Sequence, residues 1–469
     1  METTSYKEAL TMNEKVANYF DALKGKRIAV LGIGVSNRPL IRMLLARGLT
    51  VLACDKTPRE KLDGDVLDLE RMGATLHVGD GYLDGVQADV VFRTPGMHPD
   101  IPALRQLRET GAVVTSEMEA FFAVCPCRII AVTGSDGKTT TTTLISEILK
   151  HAGYTVWLGG NIGTPLLPLA EQMQPTDIAV VELSSFQLMG MTQSADIAVV
   201  TNLAPNHLDV HKDMDEYIAA KENVYLHQSK TGKLVVNMDN AITDSFAEKA
   251  PGTVEKFSRL SKPQNGVWLE NGIIYRNGRE IMPTQDIKIP GVHNIENYMA
   301  AACATEGLAT DADVDYVARN FGGVEHRIEL VRELHGVKYY NDSIASSPSR
   351  TIAGLHSFKQ KVILIAGGYD KHIPFDALGP EICGHVKTLV LCGATAEKIR
   401  TAVLNAPEYE AGKPEILEAG NLREAVELSQ KAASAGDIVT LSPACAAFDQ
   451  FKNFAVRGRT FKEIVNSLT

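Results

Sequence analysis

The sequence lacks the features that mark membrane proteins, secreted proteins and nucleic-acid binders. Its 469 residues contain no uninterrupted apolar run of the ~18 residues that a membrane-spanning helix needs. The N-terminal segment carries Lys7, Glu8, Glu14 and Lys15, and it has no apolar core of a signal peptide. The net charge is −10 without a strongly basic block, which argues against a general nucleic-acid binder. We therefore expect a cytoplasmic protein with no membrane insertion and no nucleic-acid partner.

Cysteine is scarce, and its spacing gives no disulfide framework. The seven cysteines are scattered and odd in number, which is typical of a reducing compartment. Cys125 and Cys127 flank one proline, so they are not a C-x-x-C pair, and no His or Cys partner lies nearby in the sequence. We interpret these thiols as buried or surface groups rather than as metal or redox sites.

What the sequence does contain is enough apolar residues for several cores. At about 150 residues per domain, the length predicts three domains, which we place at residues 1–117, 118–323 and 324–469. Short apolar runs alternate with helical patterns, and this alternation predicts parallel sheets covered on both faces. Three Asn-Gly dipeptides between residues 265 and 278 predict β-hairpins added to the second domain.

A glycine-rich loop between a predicted strand and a predicted helix indicates phosphate binding. Its backbone N–H groups and the helix N-terminus would point at anionic oxygens. The lysine can neutralise the outer phosphates, and the threonine after it can reach Mg²⁺. Two residues separate the glycines here, against four in the common pattern. A turn with an incidental lysine is the disfavoured alternative. The loop and first helical turn comprise Gly134, Ser135, Asp136, Gly137, Lys138, Thr139 and Thr140.

Polar residues follow the next two apolar runs. Glu182 ends the run that begins at Ile178, where a Mg²⁺ ligand or a water-positioning group would stand. His207 follows the run that begins at Ile197, at the same predicted sheet edge. The alternative is that both are ordinary loop residues. We expect His211 at the surface. Lys221 lies on a predicted helix, where a lysine is normally solvated, so its residue type and context predict a surface lysine as well.

A second glycine turn near the N-terminus is a weaker signal. Gly32 and Gly34, with Asp55 some 23 residues after Gly32, resemble half of a dinucleotide fingerprint, but Asn37 replaces the third glycine. The pattern fits two ligands about equally well: a dinucleotide such as NAD, or a nucleotide diphosphate that is bound in a different way. Asp55 would hold a ribose or a uracil-side group, or it simply caps the next turn.

Together these motifs resemble the Mur ligases of peptidoglycan synthesis. The resemblance covers essentially the whole chain, and the shortened phosphate loop is the family's form. Within the family, the stretch 441–454 is most similar to members that add D-glutamate. The remaining matching stretches are 132–140, 159–163, 182–187, 206–209, 219–221, 293–297, 325–327 and 340–343.

The resemblance implies a fold and a reaction. It implies three α/β domains: a Rossmann-like N-terminal domain for the UDP end of the substrate, a P-loop-type ATPase domain with added hairpins, and a Rossmann-like C-terminal domain for the incoming amino acid. It implies an ATP-dependent ligase with two Mg²⁺ ions, acting through an acyl phosphate. The implied partners are UDP-N-acetylmuramoyl-L-alanine and D-glutamate. Separately, we expect the protein to be a monomer.

The resemblance also implies site residues, and it reverses the interpretation of Lys221, which matches a lysine that the family carbamylates. The implied catalytic residues are Lys138, Glu182, His207 and Lys221. The implied metal ligands are Thr139, Glu182, His207 and Lys221. Beyond the loop, the implied ATP contacts are Asn294, Asn297, Arg327 and Asp342. The implied substrate contacts are Ser36, Asp55, Gly96, Asn161, Ser184, His207, Ser346, Lys371 and Phe454.

The chain departs from the family pattern in its last domain. Ile344 stands where a lysine is frequent, Ala447 stands where a serine touches D-glutamate, and the order around Lys371 is rearranged. Four rivals stay open: another Mur ligase, a folylpolyglutamate-type ligase, an NAD-dependent dehydrogenase, and a non-catalytic nucleotide-switched binding module. The phosphate loop with Asn37 argues against the dehydrogenase. Glu182, His207 and Lys221 together argue against the binding module.

Overall fold

The structure is a computed structural model that describes residues 14–34, 36–205, 211–371 and 373–469. It contains three β-sheets. The chain divides into two compact units. The first unit extends to Thr284, includes Ile295–Val317, and holds the first two sheets. The second unit comprises Gln285–Asn294 and Ala318–Thr469, and holds the third sheet.

The first sheet is parallel throughout, with strand order β3-β2-β1-β4-β5. Its central strand is completely buried because helices cover both faces, which explains its continuous apolar run. The strands are β1 Ile28–Leu31, β2 Val51–Asp55, β3 Thr75–Val78, β4 Val90–Arg93 and β5 Val113–Thr115. The helices are α1 (14–21), α2 Asn37–Ala46, α3 Gly64–Arg71 and α4 Pro102–Glu109.

The second sheet has nine strands in the order β14-β13-β12-β11-β10-β9-β6-β8-β7. Its strands are parallel from β7 to β12, and β13 and β14 are antiparallel additions. The strands are β6 Arg128–Thr133, β7 Val156–Gly160, β8 Ile178–Glu182, β9 Ile197–Val200, β10 Lys233–Asn237, β11 Thr253–Ser258, β12 Gly266–Glu270, β13 Ile273–Arg276 and β14 Arg279–Pro283.

The predicted hairpins are present, and two of the three Asn-Gly dipeptides form their turns. Asn271 and Asn277 both have positive φ, as such tight turns require. Asn265, in contrast, only precedes β12. The helices around this sheet are α5 Glu117–Val124, α6 Lys138–His151, α7 Ser185–Leu188, α8 Met214–Glu222, α9 Ala241–Ser245, α10 Val292–Ala304 and α11 Asp311–Asn320.

Within the first unit, buried Arg93 joins the first sheet to the second. Its guanidinium donates to the carbonyl oxygen of Met97 at 3.1 Å and to that of Met189 at 2.7 Å. Burial lowers the pKa of this arginine. The end of β4 is therefore tied to the segment that follows β8 and α7, so the polar residues of both sheets have fixed positions relative to each other.

The third sheet has the order β15-β16-β20-β17-β18-β19 and is parallel except for the β15–β16 pair. The strands are β15 Glu329–Leu334, β16 Val337–Asn341, β17 Val362–Ala366, β18 Val386–Cys392, β19 Glu415–Ala419 and β20 Ile438–Leu441. The helices are α12 Pro348–Leu355, α13 Leu378–His385, α14 Ala396–Leu404, α15 Leu422–Ala432 and α16 Phe454–Ser467.

The prediction of a three-part α/β chain with hairpins in the middle part is confirmed by these three sheets. The exact domain boundaries stay predictions. In the described ranges, no helix is both long enough and apolar enough to cross a membrane.

Candidate functional site

The glycine-rich loop joins β6 to α6, as the sequence predicts. Gly137 precedes the helix with φ +77°, a conformation that glycine adopts without strain. A Cβ at this position would lie 2.4 Å from Oδ1 of Asn297, so a side chain has no room. The loop is held by Thr201, the residue directly after β9, whose hydroxyl donates to the carbonyl oxygen of Asp136 at 2.6 Å. The loop is therefore rigid and narrow, as close approach to phosphate requires.

Lys138 folds back over its own loop. Its Nζ donates to the carbonyl oxygens of Gly134 at 2.9 Å and Ser135 at 2.8 Å. The ammonium is thus held above the loop, at the N-terminus of α6, where the helix dipole also favours an anion. Thr139 and Thr140 belong to the first turn of the same helix.

Lys221 is not solvated but almost completely buried, with 1% of its surface exposed. It lies on α8 and its Nζ donates to Oγ1 of Thr133 at 3.0 Å and to the carbonyl oxygen of Gly134 at 2.9 Å. Lys138 donates to that same carbonyl oxygen, so two amines converge on Gly134. The expectation of a surface lysine, drawn from its helical context alone, is wrong because α8 packs its C-terminal turn under the phosphate loop.

The surroundings of Lys221 favour its neutral amine. Burial, and next the positive charge of Lys138, lower its pKa well below the usual value, although Glu182 and Asp136 oppose the shift. A neutral lysine amine is a nucleophile, whereas an ammonium is not. The site therefore holds a buried lysine whose neutral form is favoured.

Glu182 ends β8 beside the phosphate loop, and 1% of its surface is exposed. Its Oε1 accepts a hydrogen bond of 2.7 Å from Nδ2 of Asn161. Its Oε2 is buried and has no hydrogen-bond partner among the residues that the structure describes. A buried carboxylate oxygen without a partner is costly unless another ligand satisfies it. The ends of β7 and β8 thus bring Asn161 and Glu182 together.

His207 lies outside the described residues, so its predicted place in the cluster is untested. His211 is described, and the expectation that it lies at the surface is wrong. It is 2% exposed, its Nε2 lies 2.8 Å from Oγ of Ser185, and its ring stacks on Phe186 at 5.3 Å. A single histidine in a polar stretch gives no sign of burial, which here comes from α7 and α8.

A cleft of about 190 Å³ lies between the first and second sheets of the first unit. Ser36 and Asn161 line it from opposite sides, so two predicted substrate contacts share one cavity. Pro95, the neighbour of Gly96, lines it as well. Gly96 itself is exposed in the turn after β4.

Asp55 and Ser184 have structural partners of their own. The two carboxylate oxygens of Asp55 accept from backbone N–H groups, Ile33 at 2.7 Å and Thr57 at 2.9 Å. Partial burial alone would raise its pKa, but the hydrogen bonds from Thr57 and Ile33 lower it overall. Asp55 therefore caps the turn after β2 through Thr57, and it also braces the first glycine turn through Ile33. Its contact with the substrate stays a prediction. Ser184 caps α7 in a reciprocal pair with Gln187.

The predicted ATP contacts after the hairpins lie in several elements. Asn294 and Asn297 both lie on α10, and the amide oxygen of Asn297 lies 3.2 Å from Oγ1 of Thr141 in the first unit. In the second unit, Asp342 is buried and accepts from Oγ of Ser442 at 2.7 Å. Burial raises the pKa of Asp342 to about 7. Arg327 lies in the turn before β15 and opposes that rise.

Two of the three predicted amino-acid contacts meet in the second unit. Nζ of Lys371, which is exposed, lies 3.4 Å from the carbonyl oxygen of Ser346. Phe454 begins α16, is 39% exposed, and meets the ring of His326 edge-on at 5.9 Å. Of the departures from the family pattern, Ala447 is buried and Ile344 is half-buried.

The structure adds residues that sequence reasoning missed. Tyr217 and Thr133 surround the Lys221 amine, whose Nζ lies 4.9 Å from the centre of the Tyr217 ring. Gln187 and Glu117 line the cleft. Gln187 could have been found, since it closes the matching stretch 182–187. Nothing in the local sequence distinguishes Glu117 from an ordinary acidic residue in the first turn of a helix.

Glu117 supplies a prediction of pH dependence. Burial raises its pKa to about 7 from an ordinary value of 4.5, although backbone N–H groups of Leu167 and Leu166 oppose the rise. Between these two pH values the unfolded chain has released the proton and the folded chain retains it. The group therefore destabilises the fold progressively as the pH rises through this window.

Glu117→Gln is expected to remove that slope, because the amide oxygen can still accept from Leu167 N. Thermal melting at several pH values would show the melting temperature of the variant increasing relative to that of the wild type as the pH rises from 5 to about 7. Burial also raises the pKa of Asp342 to about 7, but Asp342 is present in both proteins, so its contribution cancels in the difference between their melting temperatures. A difference in melting temperature that stays constant with pH would contradict the raised pKa of Glu117.

The fold and the loop define a class: an α/β protein that binds a nucleotide phosphate beside a buried lysine and a buried carboxylate. Two family models match the chain, the Mur ligase middle domain at residues 132–305 and the Mur ligase glutamate ligase domain at residues 326–445. The chain belongs to the Mur ligase family.

Relatives match over almost the whole length. The UDP-N-acetylmuramoylalanine–D-glutamate ligase of Acetivibrio thermocellus is 53% identical over 465 residues, covering 97% of this chain and 100% of that protein. The ligase of the same name from Clostridium botulinum strain Hall is 50% identical over 458 residues, with the same shares covered. A solved UDP-N-acetylmuramate–alanine ligase from Thermotoga maritima superposes with a TM-score of 0.58 at 18% identity, covering 94% of this chain and 99% of that one. This last likeness concerns the fold alone.

Proposed function

We propose that this chain is an ATP-dependent ligase that adds D-glutamate to UDP-N-acetylmuramoyl-L-alanine in peptidoglycan precursor synthesis, with ADP and phosphate as the other products. The observation that carries the proposal is the identity of 53% over 97% of the chain to a ligase of that name. The buried Lys221 and Glu182 beside the phosphate loop support it, because a simple nucleotide-binding module has no use for them.

The phosphate loop and Lys138 bind the outer phosphates of ATP. Lys138 leaves the carbonyl oxygens of its own loop and offsets the charge on the transferred phosphoryl group. Asn294, Asn297, Arg327 and Asp342 remain proposed contacts to ATP or links between domains, on the family resemblance alone.

The residues beside the loop fit a divalent cation. The unsatisfied, buried Oε2 of Glu182 is a hard oxygen donor of the kind that Mg²⁺ prefers. Thr139, Lys221 after carbamylation, and His207 are the other proposed ligands, and the family pattern implies two ions. When bound, Mg²⁺ neutralises charge that develops on the transferred phosphoryl oxygens.

Lys221 is proposed to act as a carbamate. Its neutral amine can attack CO₂, forming a new N–C bond and releasing one proton, and the product is an anion. As an ammonium, the buried Lys221 side chain is disfavoured by burial and by the positive charge of Lys138. As a carbamate it is an anion, and its charge is complementary to the Lys138 ammonium. This gives a physical reason for burying a lysine under a phosphate loop.

The substrates are proposed to lie on different domains. The cleft lined by Ser36 and Asn161 is proposed for the UDP-muramoyl end of the substrate, with Asp55, Gly96, Ser184 and His207 as further contacts. Ser346 and Lys371, whose groups lie 3.4 Å apart, are proposed for the carboxylates of D-glutamate, and Phe454 for the wall of that pocket. Ile344 and Ala447 leave the amino-acid contacts different in detail from the family pattern.

The reaction is proposed to have two steps. The carboxylate of the UDP substrate attacks the γ-phosphorus of ATP, the bond to the β-phosphate oxygen breaks, and ADP leaves. The deprotonated amine of D-glutamate then attacks the acyl carbon, and phosphate departs with the former carboxylate oxygen. Positioning and electrostatic stabilisation supply most of the acceleration. We further propose that the enzyme acts in the cytoplasm as a monomer.

The direct test is phosphate release from ATP with each substrate pair. Release is expected only when both UDP-N-acetylmuramoyl-L-alanine and D-glutamate are present. L-glutamate, L-alanine, meso-diaminopimelate and L-lysine serve as competing acceptors. Release with another acceptor would keep the ligase class and refute the D-glutamate assignment. ATP binding without release for any pair would refute the ligase and favour the nucleotide-switched module.

A further inference from the structure

Three side chains with metal-binding atoms converge on the surface of the second unit, and none of them is a proposed substrate contact. His356 directly follows α12, as its C-cap residue, and Glu381 and His385 lie on α13. Glu381 and His385 are four residues apart, so they project from the same face of that helix. Two helices thus contribute to one cluster.

The distances suit a single ion. Oε2 of Glu381 lies 2.6 Å from Nε2 of His356 and 3.6 Å from Nε2 of His385. One ligand atom from each residue lies within 4.8 Å of the others. Around a tetrahedral zinc ion with bonds of ~2.0–2.1 Å, ligand atoms are roughly 3.3 Å apart. Because the three side chains are at least partly exposed, small rotamer changes bring their atoms to that separation.

The chemistry of the donors selects the kind of ion. Two imidazole nitrogens and one carboxylate oxygen form a set that binds Zn²⁺ and similar transition ions, whereas Mg²⁺ and Ca²⁺ prefer oxygen ligands alone. We propose that His356, Glu381 and His385 form a zinc-class site with a fourth position open to water. A bound ion ties the end of α12 to α13. This site is independent of the proposed ligase reaction.

The test is metal binding by the intact protein in Mg²⁺-containing buffer, where Mg²⁺ competes for sites with oxygen ligands. Co²⁺ is titrated first, because a tetrahedral Co²⁺ complex gives intense visible absorption, and Zn²⁺ is then used to displace it. The wild type is expected to bind one more equivalent than His385→Ala or His356→Ala. Since loss of even an outer partner of a metal site costs 10–100-fold in affinity, each of these variants is expected to weaken binding by at least ~100-fold.

His227→Ala, which removes an exposed histidine elsewhere, is the matched control and is expected to bind as the wild type does. Zn²⁺ is also expected to raise the melting temperature of the wild type and of this control, but not of the two cluster variants. Equal stoichiometry, affinity and thermal shift in all four proteins would overturn the proposal. The three residues would then form only an ion-paired surface cluster.

Discussion

Lys221→Ala is expected to lower the rate of ligation by ~10³-fold or more, because it removes both the buried amine and any anion formed on it. Binding of ATP should change far less, since the phosphate loop and Lys138 remain. Steady-state phosphate release and equilibrium ATP binding, measured on the same preparation, separate these two effects. A carboxylate as small as acetate fits the volume of the deleted side chain, so it should restore part of the activity.

The control for this experiment is Lys212→Ala, which removes an exposed lysine just before α8 and should leave the rate unchanged. Lys221→Arg is a second informative variant, since arginine keeps a cation but cannot take up CO₂. It should be as inactive as the alanine variant. Full activity of Lys221→Arg would show that the position needs only a positive charge, which contradicts the carbamate.

Glu182→Gln is expected to lower the rate by ~10²–10³-fold and to raise the Mg²⁺ requirement by about tenfold or more. The substitution preserves shape and still accepts the hydrogen bond from Asn161, so only the negative charge at the orphaned oxygen is lost. A Mg²⁺ titration of phosphate release at saturating ATP measures both effects.

Asp177→Asn is the matched control, because Asp177 is a buried carboxylate just before β8, at the end of the strand opposite Glu182. It accepts from Nε1 of Trp157 at 2.8 Å, which an amide oxygen also can do. Its Mg²⁺ dependence should match that of the wild type. An unchanged Mg²⁺ curve for Glu182→Gln would remove Glu182 from the metal site.

Much of the fold follows from local patterns. The strand Ile178–Glu182 appears with the bounds that its apolar run predicts, and the loop from Gly134 stands between strand and helix as expected. Both features can be predicted from the sequence. Burial on both faces of a parallel sheet requires a continuous apolar run in each strand, and a phosphate loop requires glycine at fixed positions.

The parts of the site that the residues alone did not predict depend on packing between distant segments. Lys221 and His211 have polar neighbours in sequence, and their burial arises only when α8 packs beneath the loop and α7. Glu117 lines the cleft, and its carboxylate accepts a hydrogen bond from the backbone N–H of Leu167, 50 residues away. Helical periodicity carries no information about such contacts. Only the resemblance to a family singled out Lys221, and nothing singled out Glu117.

The most direct measurement of the central claim follows one oxygen atom. UDP-N-acetylmuramoyl-L-alanine labelled with ¹⁸O in its carboxylate is incubated with ATP, Mg²⁺ and D-glutamate, and the released phosphate is examined by ³¹P NMR. Ligation through an acyl phosphate predicts that each phosphate carries one oxygen from the labelled carboxylate. Unlabelled phosphate would mean that ATP is hydrolysed by water, and the chain would not be the ligase proposed here.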